Sequence, residues 1–241
     1  MCFRPFIPVK WCKSNRKETR KLLELGTILK NEPAAKDIYE MVLQVPGIAK
    51  KSKPGQFVNL RLSHKLDPLL RRPISLHGID PEKGTISMLY LVVGEGTSMM
   101  KDMEAGETID VLGPLGNGWN CEFEGSHAVL IGGGIGIALL YPLAETLIKN
   151  GKDVELIVGA KNEAYLTDVS SYEKLGVRVT ITTDDGSAGI KGFVTTALAN
   201  SIQENRCNQI YACGPKPMLK FVEKIALEHK KPGQVSTESH M

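Results

Sequence analysis

The periodicity of apolar residues changes once along this chain, near Trp119, and that change limits the possible folds more than any single motif does. From Leu23 to about Leu112 the pattern alternates, with Tyr39, Met41, Leu43 and Val45 on one side and Glu40 and Gln44 on the other. A period of two marks strands with one buried face. Further strands are expected at Gln56 to Leu62, Ile74 to Gly78, Thr85 to Val93 and Glu107 to Leu112, with turns at Pro54-Gly55, Asp80-Pro81 and Ala105-Gly106. Six short strands with little helix between them predict a small antiparallel β-barrel. After Trp119, apolar runs at His127 to Ile131, Val154 to Val158, Val177 to Thr182 and Gln209 to Ala212 are separated by helix-length segments. That pattern predicts a parallel sheet covered by helices.

The expected organisation is a basic flexible arm over 1–21, a β-barrel over 22–118 and an α/β domain over 119–241, with Gly113 to Gly118 as hinge. The 241 residues allow two domains of this size, and 42% apolar residues suffice for two cores. Eight of the 30 Lys and Arg lie in the first 30 residues against two Glu. That segment therefore carries +6 and the remaining 211 residues carry −3, so the net +3 belongs to the arm and not to a nucleic-acid-binding face. The arm reads as a solvated tail, with partner docking or a half metal site at Cys2 and Cys12 as the alternative. No stretch near the start is apolar enough for a secretion signal or a membrane span. The expectation is a cytoplasmic protein with no nucleic-acid or membrane partner. Cysteines at 2, 12, 121, 207 and 213 have no C-x-x-C spacing, which argues against disulfides and against a bound metal.

Four motifs carry the chemistry. Val129-Leu130-Ile131 runs into Gly132-Gly133-Gly134-Ile135-Gly136 and then into a helix expected to reach about Asn150. Glycines there let backbone approach a pyrophosphate at a positive helix end; a tight strand-to-helix turn is the plainer reading. Thr182-Thr183-Asp184-Asp185-Gly186-Ser187 follows a strand at the carboxyl edge, where open α/β sheets bind ligands. Asp184 and Asp185 could accept ribose hydroxyls and repel a 2′-phosphate, favouring NAD over NADP, or could form an acidic turn. Cys213-Gly214-Pro215 ends the last expected strand, with Pro215 opening a helix through Met218 and Phe221 to His229. Cys213 could lie beneath a nicotinamide ring, or be a small buried hydrophobe. In the first half, Arg72 offers a charged fork to phosphate and Ser75 a small hydroxyl, while Gly94 to Thr97 offers backbone N–H groups and a second hydroxyl.

Together, Arg71-Arg72-Pro73-Ile74-Ser75, Gly94-x-Gly96-Thr97, Gly113-Pro114-Leu115-Gly116, Gly132-Gly133-Gly134-Ile135-Gly136 and Tyr211-Ala212-Cys213-Gly214-Pro215-x-Pro217-Met218 resemble the ferredoxin-NAD(P) reductase superfamily. Within it, the chain from about Lys21 to Met241 is similar to the electron transfer subunit of NAD-dependent dihydroorotate dehydrogenase. The resemblance implies that Arg72, Pro73, Ile74 and Ser75, then Leu89, Tyr90 and Leu91, then Gly96 and Thr97 hold FAD, with Ser75 near flavin N5. It implies that Gly132, Gly133, Gly134, Gly136, Asp184, Asp185, Gly214 and Pro215 hold NAD, with Cys213 at the nicotinamide. In the family, NADH reduces FAD, and electrons pass through a [2Fe-2S] cluster to a partner. That partner, an FMN-containing dihydroorotate dehydrogenase catalytic subunit, forms a heterotetramer and serves pyrimidine biosynthesis.

This sequence departs from the family at three places. Relatives continue beyond the segment matching Val235 to Met241 into a cysteine-rich loop that ligates the cluster with four thiolates. The five cysteines here lie elsewhere, so no cluster is expected. The chain is then either a truncated form of a longer protein or a shortened relative that passes electrons straight from flavin to an acceptor. Leu91 stands where an Arg is expected and Leu139 where relatives tend to place Pro. Two alternatives to the electron transfer subunit remain: a free-standing NAD(P)H:acceptor oxidoreductase, and a non-catalytic structural subunit.

Overall fold

The computed structural model describes residues 2–5, 21–62, 69–167 and 169–237. The chain begins with β1 (Cys2–Pro5), which pairs far away in the second sheet. The first half then forms one antiparallel sheet from β2 (Leu22–Ala35), β3 (Ile38–Gln44), β4 (Phe57–Arg61), β5 (Arg72–Ser75), β6 (Gly78–Asp80), β7 (Thr85–Leu91) and β8 (Thr108–Leu115), in the order β5-β4-β8-β2-β3-β7-β6. Its two edge strands, β5 and β6, are separated only by Leu76 and His77. Leu76 N–H bonds Gln56 on one side and His77 N–H bonds Ser87 on the other, so one bent segment supplies both edges and the sheet closes on itself. The strand expected over Ile74 to Gly78 is thus split, because it must leave β4 and join β7. Counted as one bent strand, β5 and β6 make the expected six-stranded barrel.

Alternation decides what fills that barrel. Met41, Leu43, Val58, Leu60, Ile74, Leu76, Ile86, Met88, Tyr90 and Val111 all point inward into one core. The expected hinge at Gly113 to Gly118 begins too early. Gly113 still pairs with Leu22 and Leu115 with Phe57, so β8 runs on to Leu115. Residue 113 must be small there, since a Cβ would lie 2.7 Å from Val58 Cγ1.

In the second half β9 (His127–Gly133), β10 (Asp153–Ala160), β11 (Arg178–Thr183), β12 (Ile190–Lys191), β13 (Gln209–Cys213) and β14 (Gly233–Thr237) form the sheet β1-β14-β13-β9-β10-β11-β12, parallel except for β1. The central strands β9, β10 and β13 are mostly apolar because both of their faces are covered. Leu130 and Leu156 pack with Leu143 and Leu147 of the helix Tyr141–Lys149 on one face. Val129, Ile131 and Ile157 pack on the other face with Leu198 and Ile202 of the helix Val194–Gln203 and Leu219 and Val222 of the helix Lys216–Glu228. Strands β9, β10 and β11 step one way across the sheet, whereas β13 and β14 lie on the opposite side of β9. The carboxyl ends of β9 and β13 therefore flank the point where strand order reverses, the place open α/β sheets use for ligands.

Residues 2–5 pair with β14, so this part of the expected arm is an edge strand; position 1 and residues 6–20 lie outside the described residues, as do 238–241. No helix among the described residues is long and apolar enough to cross a membrane.

Candidate functional site

The glycine loop after β9 and the Cys213-Gly214-Pro215 loop after β13 lie against each other, backbone to backbone. A Cβ on Gly136 would overlap the Cys213 carbonyl, and one on Gly133 would lie 2.6 Å from Met218 Sδ and 2.9 Å from Pro215 Cδ. Gly214, at φ +155, would bring a Cβ within 3.0 Å of Gly133 Cα. Gly132 is held against Ile137. Gly133, Gly136 and Gly214 are therefore required by loop-against-loop packing, and Gly132 is tight against its own segment. Gly134 differs: it has φ +53 and nothing within 4 Å of the Cβ position, so its backbone is the open part of the loop.

The expected helix does not start at the glycines. Residues Gly134–Leu139 form a 3-10 segment, and the α-helix begins at Tyr141, where Pro142 sits in its first turn and lacks the N–H that would extend the ladder backwards. Three carbonyls of the 3-10 segment are held by side chains from separate elements. Tyr172 Oη donates to Ile137 at 3.1 Å, Trp119 Nε1 donates to Leu139 at 3.4 Å, and His77 Nδ1 lies 3.1 Å from the Ala138 oxygen. Since a carbonyl only accepts, that contact puts the imidazole proton on Nδ1. Burial holds the His77 pKa below its usual value, and its ring lies 5.4 Å from that of Tyr141.

Asp184 and Asp185 follow β11, two strands from β9 and so about 10 Å across the sheet. Both are exposed. Asp185 Oδ1 accepts from the Ser187 N–H at 2.9 Å and hydroxyl at 2.7 Å, and these bonds lower its pKa. Ser187 Oγ also accepts from the Glu163 N–H at 2.8 Å, tying this turn to the loop after β10. Cys213 is buried within the core on the Tyr141–Lys149 side. Pro215 is the N-cap of the last helix, one residue outside the expected start.

On the barrel, Arg72 lies over Gly96, 24 positions away in sequence. A Cβ at residue 96 would overlap Arg72 Nε and lie 2.9 Å from Cζ. Gly96 and Thr97 are in the first turn of the helix Glu95–Lys101, where backbone N–H groups have no partner within the helix. Thr97 Oγ1 accepts from the Val93 and Gly94 N–H groups and gives its proton to the Gly94 carbonyl, so the hydroxyl holds the turn and the backbone remains for a ligand. Pro73 and Ser75 are on the outer side of β5, while Ile74 points into the barrel core. Tyr90 also points inward, donating its hydroxyl to Asn31 Oδ1 at 2.8 Å and stacking on Tyr39. Strand parity thus turns both side chains into the barrel core, so neither side chain is free for the cofactor contact expected of it. Leu89 and Leu91 have the opposite parity and pack with Ile38 against Ala138 and Ile135 of the second half.

Sequence reasoning missed His77, which joins the halves. Ser75 is two residues from His77, His77 touches Ala138, and Gly136 packs on Cys213. The His77–Ala138 contact thus sets the bend after β5 against the segment after β9, whose Gly136 packs on the loop after β13. A flavin pyrophosphate suits the barrel site in charge and donor chemistry, with the Arg72 guanidinium against the first turn of the helix Glu95–Lys101. An iron–sulfur cluster does not fit the described cysteines: Cys121 and Cys213 belong to the core on one face of the parallel sheet and Cys207 to the core on the other. Among the described residues no three metal-binding side chains come together.

Residues 130–224 match the family model described as the oxidoreductase NAD-binding domain. The electron transfer subunit of dihydroorotate dehydrogenase B (NAD(+)) from Geobacillus sp. (strain WCH70) is 40% identical over 204 residues, covering 84% of this chain and 78% of the relative. The subunit of the same name from Fusobacterium nucleatum is 38% identical over 225 residues, 91% of this chain and 85% of the relative. Among solved structures, an NADH-dependent reduced ferredoxin-NADP oxidoreductase, studied for flavin-based electron bifurcation, superposes with TM-score 0.81 at 34% identity, covering 90% of this chain and 78% of that one. The ferredoxin reductase of carbazole 1,9a-dioxygenase has TM-score 0.76 at 19% identity, covering 89% of this chain and 69% of that one, a likeness of fold alone. The fold is that of the ferredoxin reductases, an antiparallel barrel followed by a parallel nucleotide-binding sheet.

Proposed function

This chain belongs to the family of dihydroorotate dehydrogenase B (NAD(+)) electron transfer subunits, and from that premise we propose that it takes hydride from NADH onto FAD and passes electrons to a dihydroorotate dehydrogenase catalytic subunit. The partner on this reading carries FMN, assembles with this chain as a heterotetramer, and acts in the cytoplasm in pyrimidine biosynthesis. Residues 22–118 serve as the flavin domain and 119–241 as the nicotinamide domain.

When bound, the flavin supplies the redox chemistry, taking up two electrons together and releasing them singly. The protein holds and orients. Arg72 and the first-turn N–H groups at Gly96 and Thr97 bind the FAD pyrophosphate, with charge-assisted bonds from the guanidinium. Ser75, on the outer side of β5, offers its hydroxyl near flavin N5. Gly134 gives backbone access to the NAD pyrophosphate, and Asp184 and Asp185 take the adenine ribose and disfavour a 2′-phosphate. Gly214 and Cys213 leave space at the nicotinamide. No side chain need act as general base, because positioning two stacked rings converts the transfer into an effectively intramolecular step.

The observation that supports this reading best is the His77–Ala138 contact, which with Gly136 packed on Cys213 holds together the elements that carry the two proposed sites. Anaerobic titration of the FAD-loaded chain with NADH tests it.

A further inference from the structure

The Ala138 carbonyl lacks the donor that an α-helix would bring to it. That donor is the N–H four residues further on, and the residue there is Pro142. His77, from the bend that closes the barrel, stands in for it, with Nδ1 3.1 Å from the Ala138 oxygen. The Ala138 side chain also faces the barrel, buried with Ile38 and Leu89 and flanked by Ala35 and Leu91. The next carbonyl, that of Leu139, takes Trp119 Nε1 at 3.4 Å, and the Trp119 N–H donates to the Pro54 carbonyl of the barrel at 2.9 Å. Two successive carbonyls of the segment Gly134–Leu139 are thus tied to the barrel. The one before them, Ile137, is held by Tyr172 of the helix Ser170–Lys174 in its own half.

Beyond this contact the halves part. An open cleft runs between β6, β7 and the helix Tyr141–Lys149, with Gly78, Ser87, Tyr141 and Glu145 on its walls. Alignment beside the cleft therefore rests on the His77 bond and the small apolar cluster around Ala138. The halves meet again where the Lys36 N–H donates to the Ala164 carbonyl at 3.1 Å, with the Lys36 ammonium 5.2 Å from the Tyr165 ring centre. That second contact needs the barrel to stand at one angle, so it reports on the first.

We infer that His77 and Pro142 are a pair of positioning residues. Pro142 keeps open a carbonyl of the segment that begins at Gly134, and His77 takes up that carbonyl from the other half, so one bond sets how the barrel stands against the glycine loop. The kinetic consequence, a dependence of hydride transfer on this bond, rests on the proposed function; the alignment itself does not.

Three variants test the pair. His77→Phe keeps a flat ring beside Tyr141 and removes the donor. His77→Asn keeps an N–H in the place of Nδ1. His77→Phe/Pro142→Ala returns a backbone N–H to position 142, so the Ala138 carbonyl is satisfied again, but from its own half. Each full-length chain is followed by thermal unfolding, by hydrogen exchange at the Lys36 amide, which needs no cofactor, and, once loaded with FAD, by anaerobic reduction with NADH. In His77→Phe the Tm should fall, flavin reduction should slow, and Lys36 should exchange about tenfold faster, as loss of one hydrogen bond between the halves allows. His77→Asn should recover all three, and the double variant the Tm alone. Wild-type exchange at Lys36 in His77→Phe overturns the inference. So does a double variant in which exchange and reduction recover together with Tm, because the bond would then do no more than satisfy a carbonyl. If His77→Phe does not fold, the double variant is set against His77→Asn, and equal Lys36 exchange in those two overturns the inference. A wild type whose flavin NADH does not bleach strikes the proposed function, while Lys36 exchange still decides whether the pair aligns the halves.

Discussion

The guanidinium of Arg72 lies directly across Gly96, so closely that a Cβ at residue 96 would push it aside. A cation is thereby held over the first-turn amides of the helix Glu95–Lys101, the arrangement a pyrophosphate requires. Arg72→Ala should lower FAD affinity by about ten- to a hundred-fold, from the ~1.5–3 kcal/mol of a charge-assisted hydrogen bond. Gly96→Ala, which displaces the same guanidinium, should lose less, and the double variant should resemble Arg72→Ala alone, since both act on one contact. Flavin retained after gel filtration measures all three. Full flavin content in Arg72→Ala would refute the phosphate assignment.

Gly136 and Gly134 are two residues apart but should respond differently to alanine. A Cβ at 136 meets backbone of Cys213, which cannot step aside, so a loss of about 2–4 kcal/mol is expected, read as a fall of several degrees in Tm. At 134 only the positive φ resists, at about 1–2 kcal/mol, and the main effect should be a raised KM for NADH. Equal losses of stability at the two positions would contradict the packing account.

Ser75→Ala should slow flavin reduction by NADH while leaving FAD bound. Stopped-flow anaerobic reduction separates the two effects; a wild-type rate would remove Ser75 from the reaction.

His77 joins the halves in its neutral form, and burial lowers its pKa below the usual 6.5. A group whose folded pKa is depressed in this way binds its proton more readily when unfolded. Above about pH 6.5 both states are neutral and no penalty arises; as pH falls below that value, the unfolded state gains the proton first and the fold is destabilised. The slope for one proton is at most about 1.4 kcal/mol per pH unit. Denaturant unfolding between pH 7 and pH 5 should show this loss in the wild type and a shallower one in His77→Gln. Parallel curves would mean that His77 does not titrate differently on folding.

Asp184 and Asp185 should set the choice of nicotinamide. Replacing both with Ser should raise kcat/KM for NADPH relative to NADH by about tenfold, since unpaired like charge at a 2′-phosphate is what excludes it. Ser187→Ala, which releases Asp185 from its turn, should move the ratio in the same direction by less. An unchanged ratio in the double serine variant would place the adenine ribose elsewhere.

Much of this architecture is legible from periodicity. Met41 and Leu43 alternate with half-exposed neighbours as a barrel strand must, and Val129-Leu130-Ile131 is apolar at every position because helices cover both faces of β9. Parity also determines that Met88 and Tyr90 face inward while Leu89 and Leu91 face the second half, although a motif read as a triplet conceals this. Strand β14 is not legible: Gly233-Gln234-Val235-Ser236-Thr237 has little apolar content, and the parallel sheet, not its own sequence, makes it a strand. The bend at Leu76–His77 and the contact of His77 with Ala138 depend on partners 61 residues away, beyond the reach of any local pattern.

The most direct measurement is the visible spectrum of the FAD-loaded 241-residue chain during anaerobic titration with NADH. Stoichiometric bleaching of the flavin band, with NADPH far less effective, is the predicted result. A bound flavin that NADH leaves oxidised would contradict hydride transfer between the two sites.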